Sequence, residues 1–98
     1  MVIEDVYEEL RRCGAVQSSA AFSEHWLGME KSYLRCLRAK RRKPSAKALA
    51  TCATRLRRRA AQFDQSSLPR VQGWALRYGE LADRCLTELL TTCESAHE

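Results

Sequence analysis

The stretch GMEKSYLRCLRAKRRKPS, residues 28–45, decides how this chain reads. It opens on Gly28, and glycine is the residue that most readily takes a left-handed turn between two helices. Leu34 and Leu37 then fall at helical spacing, with Met29 packing at the turn. This predicts a helix over about 30–40 with one apolar face. Lys31, Ser32, Arg35 and Arg38 occupy its other faces. Lys40, Arg41, Arg42 and Lys43 follow as an unbroken basic run. Pro44 disfavours helix in the residue before it, and Ser45 is a cap for whatever helix comes next.

Working outward, a short helix precedes the turn. Ser18 and Ser19 are N-cap candidates, Phe22 and Trp26 share a buried face, and the helix ends near Leu27. Before it, Val2, Ile3, Val6, Leu10 and Cys13 mark a first helix over 2–13, stopped by Gly14. Residues 15–17 form a short link. After Ser45, a fourth helix buries Leu49, Cys52, Ala53 and Leu56. Arg57, Arg58 and Arg59 are expected near its C-terminal end, where the helix dipole favours cations. Residues 65–69 read as a linker, and a long last helix begins near Arg70. Along it Val71, Trp74, Tyr78, Leu81, Cys85, Leu89 and Thr92 step by three and four, close to a heptad seam. The expected division is a four-helix domain over 1–64, followed by the linker and C-terminal helix over 65–98.

Composition agrees with an all-α chain. Only 4 Gly and 2 Pro interrupt 98 residues rich in Ala, Leu and Arg. The net charge of +5 understates an asymmetry, because twelve basic residues and no acid lie between Lys31 and Arg59. Such a block repels itself unless an anion is nearby. The phosphates of nucleic acid are the natural anion, with counterion release favouring the complex. The opening MVIEDVYEEL has acids and no base, unlike a secretory signal, and no apolar run reaches membrane-spanning length. A cytoplasmic location without membrane contact is expected. The five cysteines include no CxxC pair, so they read as small buried apolar residues, with no metal or cofactor. His25 and His97 have no catalytic partners at useful spacing. No nucleophile elbow, phosphate loop, zinc-protease motif or paired carboxylates are evident, so an enzyme is not expected. Nor is a ligand pocket evident.

The same residues resemble the turn, recognition helix and exit loop of Cro/Xre-type (lambda-repressor-like) helix-turn-helix proteins. Gly28, Met29, Leu34, Leu37, the basic run 40–43 and Pro44-Ser45 stand at matching intervals, and Leu49, Cys52, Ala53 and Leu56 resemble the family's fourth helix. The resemblance spans roughly 15–58. Three positions depart from the pattern. Glu24 stands where the family has a small residue (Ser23 is one step away), Arg38 replaces a glutamate, and Lys40 replaces a loop glycine.

The resemblance implies a sequence-specific transcription regulator that inserts helix 30–40 into the major groove of double-stranded DNA. By position, Lys31, Ser32, Tyr33, Arg35 and Cys36 would face the DNA. Lys31 or Arg35 would donate to guanine, Ser32 to a base or phosphate, and Cys36 would be a small spacer. Tyr33 is either a sugar or phosphate contact or a half-buried scaffold aromatic. Arg38, Lys40, Arg41, Arg42 and Lys43 would clamp phosphates. Ser18 and Ser19, opening the second helix, would offer backbone N–H groups to another phosphate.

A homodimer is the expected state, with Val71, Trp74, Tyr78, Leu81, Cys85 and Leu89 as the candidate interface. The alternative is that the same helix covers the monomer's own core. Two other functions stay open: a small protein-interaction module, antitoxin-like or a phage or host regulator adaptor, and an RNA binder.

Overall fold

The computed structural model describes the backbone of residues 2–65 and 67–96, and side chains as far as residue 91. Ser66 of the linker, Thr92 of the seam, Cys93 and His97 lie outside the described residues or side chains. The fold is all-α, in the order α1 (Val2–Arg12), α2 (Ser19–His25), α3 (Tyr33–Lys40), α4 (Ala46–Asp64) and α5 (Pro69–Ala96). None of the helices is long and apolar enough to cross a membrane among the described residues.

Local chemistry sets most of the boundaries. In α1, Glu4 and Asp5 occupy the first turn and Arg11 and Arg12 the last, each complementing the helix dipole. Gly14 ends it at φ 79°. Ser18 caps α2 by accepting from the Ala21 N–H at 3.1 Å, and Ser45 caps α4 by accepting from the Ala48 N–H at 3.2 Å. Pro69 opens α5, where its missing N–H costs nothing. Helix α4 does not stop after the arginines. It continues through Ala60 and Ala61 to Asp64, so Arg57–Arg59 lie in mid-helix rather than at its end.

A single cluster of buried side chains joins all five helices. Phe22, Trp26 and Leu27 meet Leu34 and Leu37 of α3, Leu49, Cys52 and Leu56 of α4, and Ile3, Val6, Tyr7 and Leu10 of α1. Tyr78, Leu81, Ala82 and Cys85 of α5 belong to the same cluster. Tyr78 is its aromatic hub, with ring centroids 5.2 Å from Phe63, 6.2 Å from Trp26 and 6.3 Å from Trp74. Its hydroxyl lies 3.3 Å from the Cys13 thiol, and burial pushes its pKa up.

Of the two roles left open for the last helix, the packing matches the covering of the chain's own core, since α5 shares one buried cluster with residues 3–56. Tyr78, Leu81 and Cys85 are not a free interface, because α4 covers them; the seam of α5 faces inward. Val71 and Leu89 are half-buried along the same face, and Trp74 lies at its edge with 37% exposure. The cysteines also divide. Cys52 and Cys85 are buried in contact with each other, which together with desolvation holds the Cys52 thiol protonated. Cys13 is half-buried, but Cys36 is exposed rather than a core residue.

The acids of α1 are internal partners. Arg84 reaches Asp5 at 2.7 Å, and Arg77 joins Glu9 to Glu80. The hydrogen bond from Arg77 holds the Glu9 carboxyl below its usual range. These pairs orient α1 on α5, so the acidic start of the chain is largely neutralised by its own arginines.

The exit from α3 carries strain. Arg41 sits at φ 50°, in the left-handed region. Its N–H bonds the Arg38 carbonyl, and the Arg42 N–H reaches back to the Leu37 carbonyl at 3.0 Å. This is the Schellman arrangement, whose left-handed residue is usually glycine. Arg41→Gly is therefore expected to raise the unfolding free energy by about 1 kcal/mol in denaturant titrations. An unchanged or lower stability would show that Arg41 is not strained.

Candidate nucleic-acid interface

Two short helices, α2 and α3, meet across Gly28. Both its conformation and its surroundings require glycine: φ is +65°, and an added Cβ would lie 3.2 Å from Thr51 Cγ2 on α4. The Met29 N–H returns to the Ser23 carbonyl at 2.9 Å and closes the turn. Ser23 is fully buried between the helices. Its hydroxyl donates to the Ser19 carbonyl at 2.9 Å and accepts from the Leu34 N–H at 3.1 Å. The small residue at the helix contact is thus Ser23, with Glu24 exposed beside it.

That hydrogen bond also explains where α3 begins. A helix from residue 30 would need the Leu34 N–H to bond the Glu30 carbonyl, but Ser23 takes it. The Tyr33 N–H makes a tighter bond to Glu30, and the first α-helical bond runs from Cys36 to Ser32. The helix expected over 30–40 therefore starts at Tyr33. Lys31 and Ser32 occupy the turn leading into it, and Ser32 is the N-cap position without a side-chain capping bond.

The expected contact residues separate into free and committed groups. Lys31, Arg35 and Cys36 are exposed and Ser32 is half-exposed. Ser32, Lys31 and Arg35 border a crevice of about 620 Å³ with Ser19, Glu24 and Glu30. Tyr33 is committed: its hydroxyl accepts from the Ser45 N–H at 2.9 Å and contacts the Ser45 hydroxyl at 3.4 Å, pinning α3 to the start of α4. Arg38, expected as a phosphate clamp, instead holds Glu4 of α1 with two hydrogen bonds, one of 2.7 Å, and lies 5.4 Å over the Tyr7 ring. The bond to Glu4 raises the guanidinium pKa further. Ser18 spends its hydroxyl on capping α2, and Ser19 is half-buried with its carbonyl bonded by Ser23.

Four of the twelve basic residues between Lys31 and Arg59 are thus engaged within the fold. Arg38 pairs with Glu4 and Arg57 with Asp83. Arg55 donates to the carbonyls of Glu24 and His25, and Arg59 lies over Trp26. The other eight, Lys31, Arg35, Lys40, Arg41, Arg42, Lys43, Lys47 and Arg58, are exposed and have no acidic partner among the described residues. Seven of them surround α3, from the turn before it to the first turn of α4. Glu24 and Glu30 at the crevice are what the sequence reading left out; their nearness to Lys31 in the chain was visible, but their sharing of one crevice depends on the fold.

No curated protein and no solved structure matches the chain. The sequence profile of one family does match, over residues 3–98. The chain therefore belongs to DUF6626, a family of unknown function.

Proposed function

We propose that this protein binds double-stranded DNA as a sequence-specific transcription regulator, with α3 seated in the major groove. The observation that carries this reading is the set of seven exposed cations around α3 that have no acidic partner among the described residues, on a helix fixed to the core by Leu34, Leu37 and Tyr33. An α-helix with its side chains is about 10–12 Å across, which suits the width of that groove. Arg35 and Cys36 lie on its exposed side, with Lys31 and Ser32 just ahead of its N-terminus. Lys31 and Arg35 are the base readers, and either can donate to guanine O6 and N7. Lys40, Arg41, Arg42, Lys43 and Lys47 meet phosphates. Arg38 and Tyr33 position α3 without touching DNA.

Binding to a generic duplex measures the electrostatic part directly. With five phosphates neutralised, log K is expected to fall with log salt at a slope of about −4.5. A slope near zero would remove the phosphate contacts and the reading with them.

A protein-interaction module is the second reading. Leu68, Leu76 and Leu90 are 60%, 70% and 64% exposed, and the last two project from α5 away from the buried seam. It gains ground only if duplex binding is absent.

A further inference from the structure

We propose that the groove between α2 and the C-terminal half of α4 binds a small organic anion: an aromatic or heteroaromatic ring bearing a carboxylate or phosphate. The groove encloses about 580 Å³, within the range of small-molecule sites. Ala15 and Ala21, with the edges of the largely buried Val16 and Trp26, supply its apolar surface, and Arg55, Arg58 and Arg59 its charge; no carboxylate lines it. It shares no lining residue with the crevice beside α3. Ala21 and His25 of α2 face this groove, whereas Ser19, Ala20 and Glu24 face the other. The site is therefore separate from the proposed DNA surface and does not depend on that reading.

The three arginines are not equivalent. Arg59 lays its guanidinium over the Trp26 indole at 5.6 Å, so the ring holds its face while its N–H edge remains available. Arg58 has no partner among the described residues. Arg55 is held by the carbonyls of Glu24 and His25 at the end of α2, where it offsets the negative end of that helix. Their spacing of three and four puts all three on one face of α4, where like charges repel. An anion relieves that repulsion, and guanidinium groups bind carboxylate and phosphate through paired hydrogen bonds. The apolar wall beside them favours a ring over a bare inorganic ion.

The test uses a Trp74→Phe chain, in which Trp26 is the remaining tryptophan and reports by fluorescence. The probes are benzoate and adenosine 5′-monophosphate, with benzamide and adenosine as their neutral counterparts. At least one anion is expected to give a saturable change with a midpoint below about 1 mM, its neutral counterpart binding at least about tenfold more weakly. Saturation by benzoate alone assigns a carboxylate head, and by the nucleotide alone a phosphate head. Adding Arg58→Glu is expected to weaken binding by at least about tenfold while circular dichroism and the melting temperature stay unchanged. The proposal fails if neither anion saturates, if the neutral compounds bind equally well, or if Arg58→Glu binds as the parent does.

Discussion

Reversal of Lys31 and Arg35 to glutamate is expected to abolish discrimination between DNA sequences, whereas reversal of Arg41 and Arg42 weakens binding to all sequences by the same factor. Each good bidentate base contact contributes about 1–3 kcal/mol of discrimination, so the first double variant should lose about tenfold or more of preference per position. In the second, two phosphate contacts disappear, the salt slope falls by about 2, and the preferred sequence remains preferred. All four side chains are exposed and make no ion pair among the described residues. Neither change should therefore damage the fold, apart from the backbone conformation at Arg41. Competition anisotropy with specific and non-specific duplexes separates the two effects. Identical behaviour of the two variants would remove the distinction between reading and clamping residues.

A chain ended at residue 65 is expected not to fold. Its four helices would expose the surface that Tyr78, Leu81, Ala82 and Cys85 now cover, and Tyr78 alone contacts three aromatic rings and Cys13. Burying one large apolar side chain contributes about 1.5–3 kcal/mol, against a total stability of about 5–15 kcal/mol for a small domain. The Arg77–Glu9 and Arg84–Asp5 pairs would be lost as well, leaving Asp5 and Glu9 of α1 without those partners. Far-UV circular dichroism should show reduced helix and no cooperative melt. A sharp melt for the fragment would show that residues 1–65 hold their core without α5.

The difference between these two views of α5 shows where sequence ceases to inform. Val71, Trp74, Tyr78, Leu81, Cys85 and Leu89 have the same spacing whether they face a second chain or α4. Periodicity identifies an apolar face but not the surface that covers it. The helices themselves were legible because their signals are local: Gly14 and Gly28 at turns, Ser18 and Ser45 at caps, Leu34 and Leu37 at helical spacing. The start of α3 was not, because Ser23 captures the Leu34 N–H from 11 residues away. Arg38 resembled the other cations of its run until Glu4, 34 residues distant, was placed beside it. Tyr33 could not be assigned for the same reason, since its partner is Ser45. Within the candidate interface, then, charge and exposure could be read directly, but the division between scaffold and contact residues follows from long-range hydrogen bonds.

The most direct measurement is selection of duplexes from a randomised pool by the purified protein at near-physiological salt, with sequencing of the retained fraction. A regulator that places α3 in the major groove enriches a short motif containing guanine, and loses that enrichment when Lys31 and Arg35 are reversed. Retention without enrichment, vanishing as salt rises, would mean that the cations around α3 form a general electrostatic surface and read no sequence.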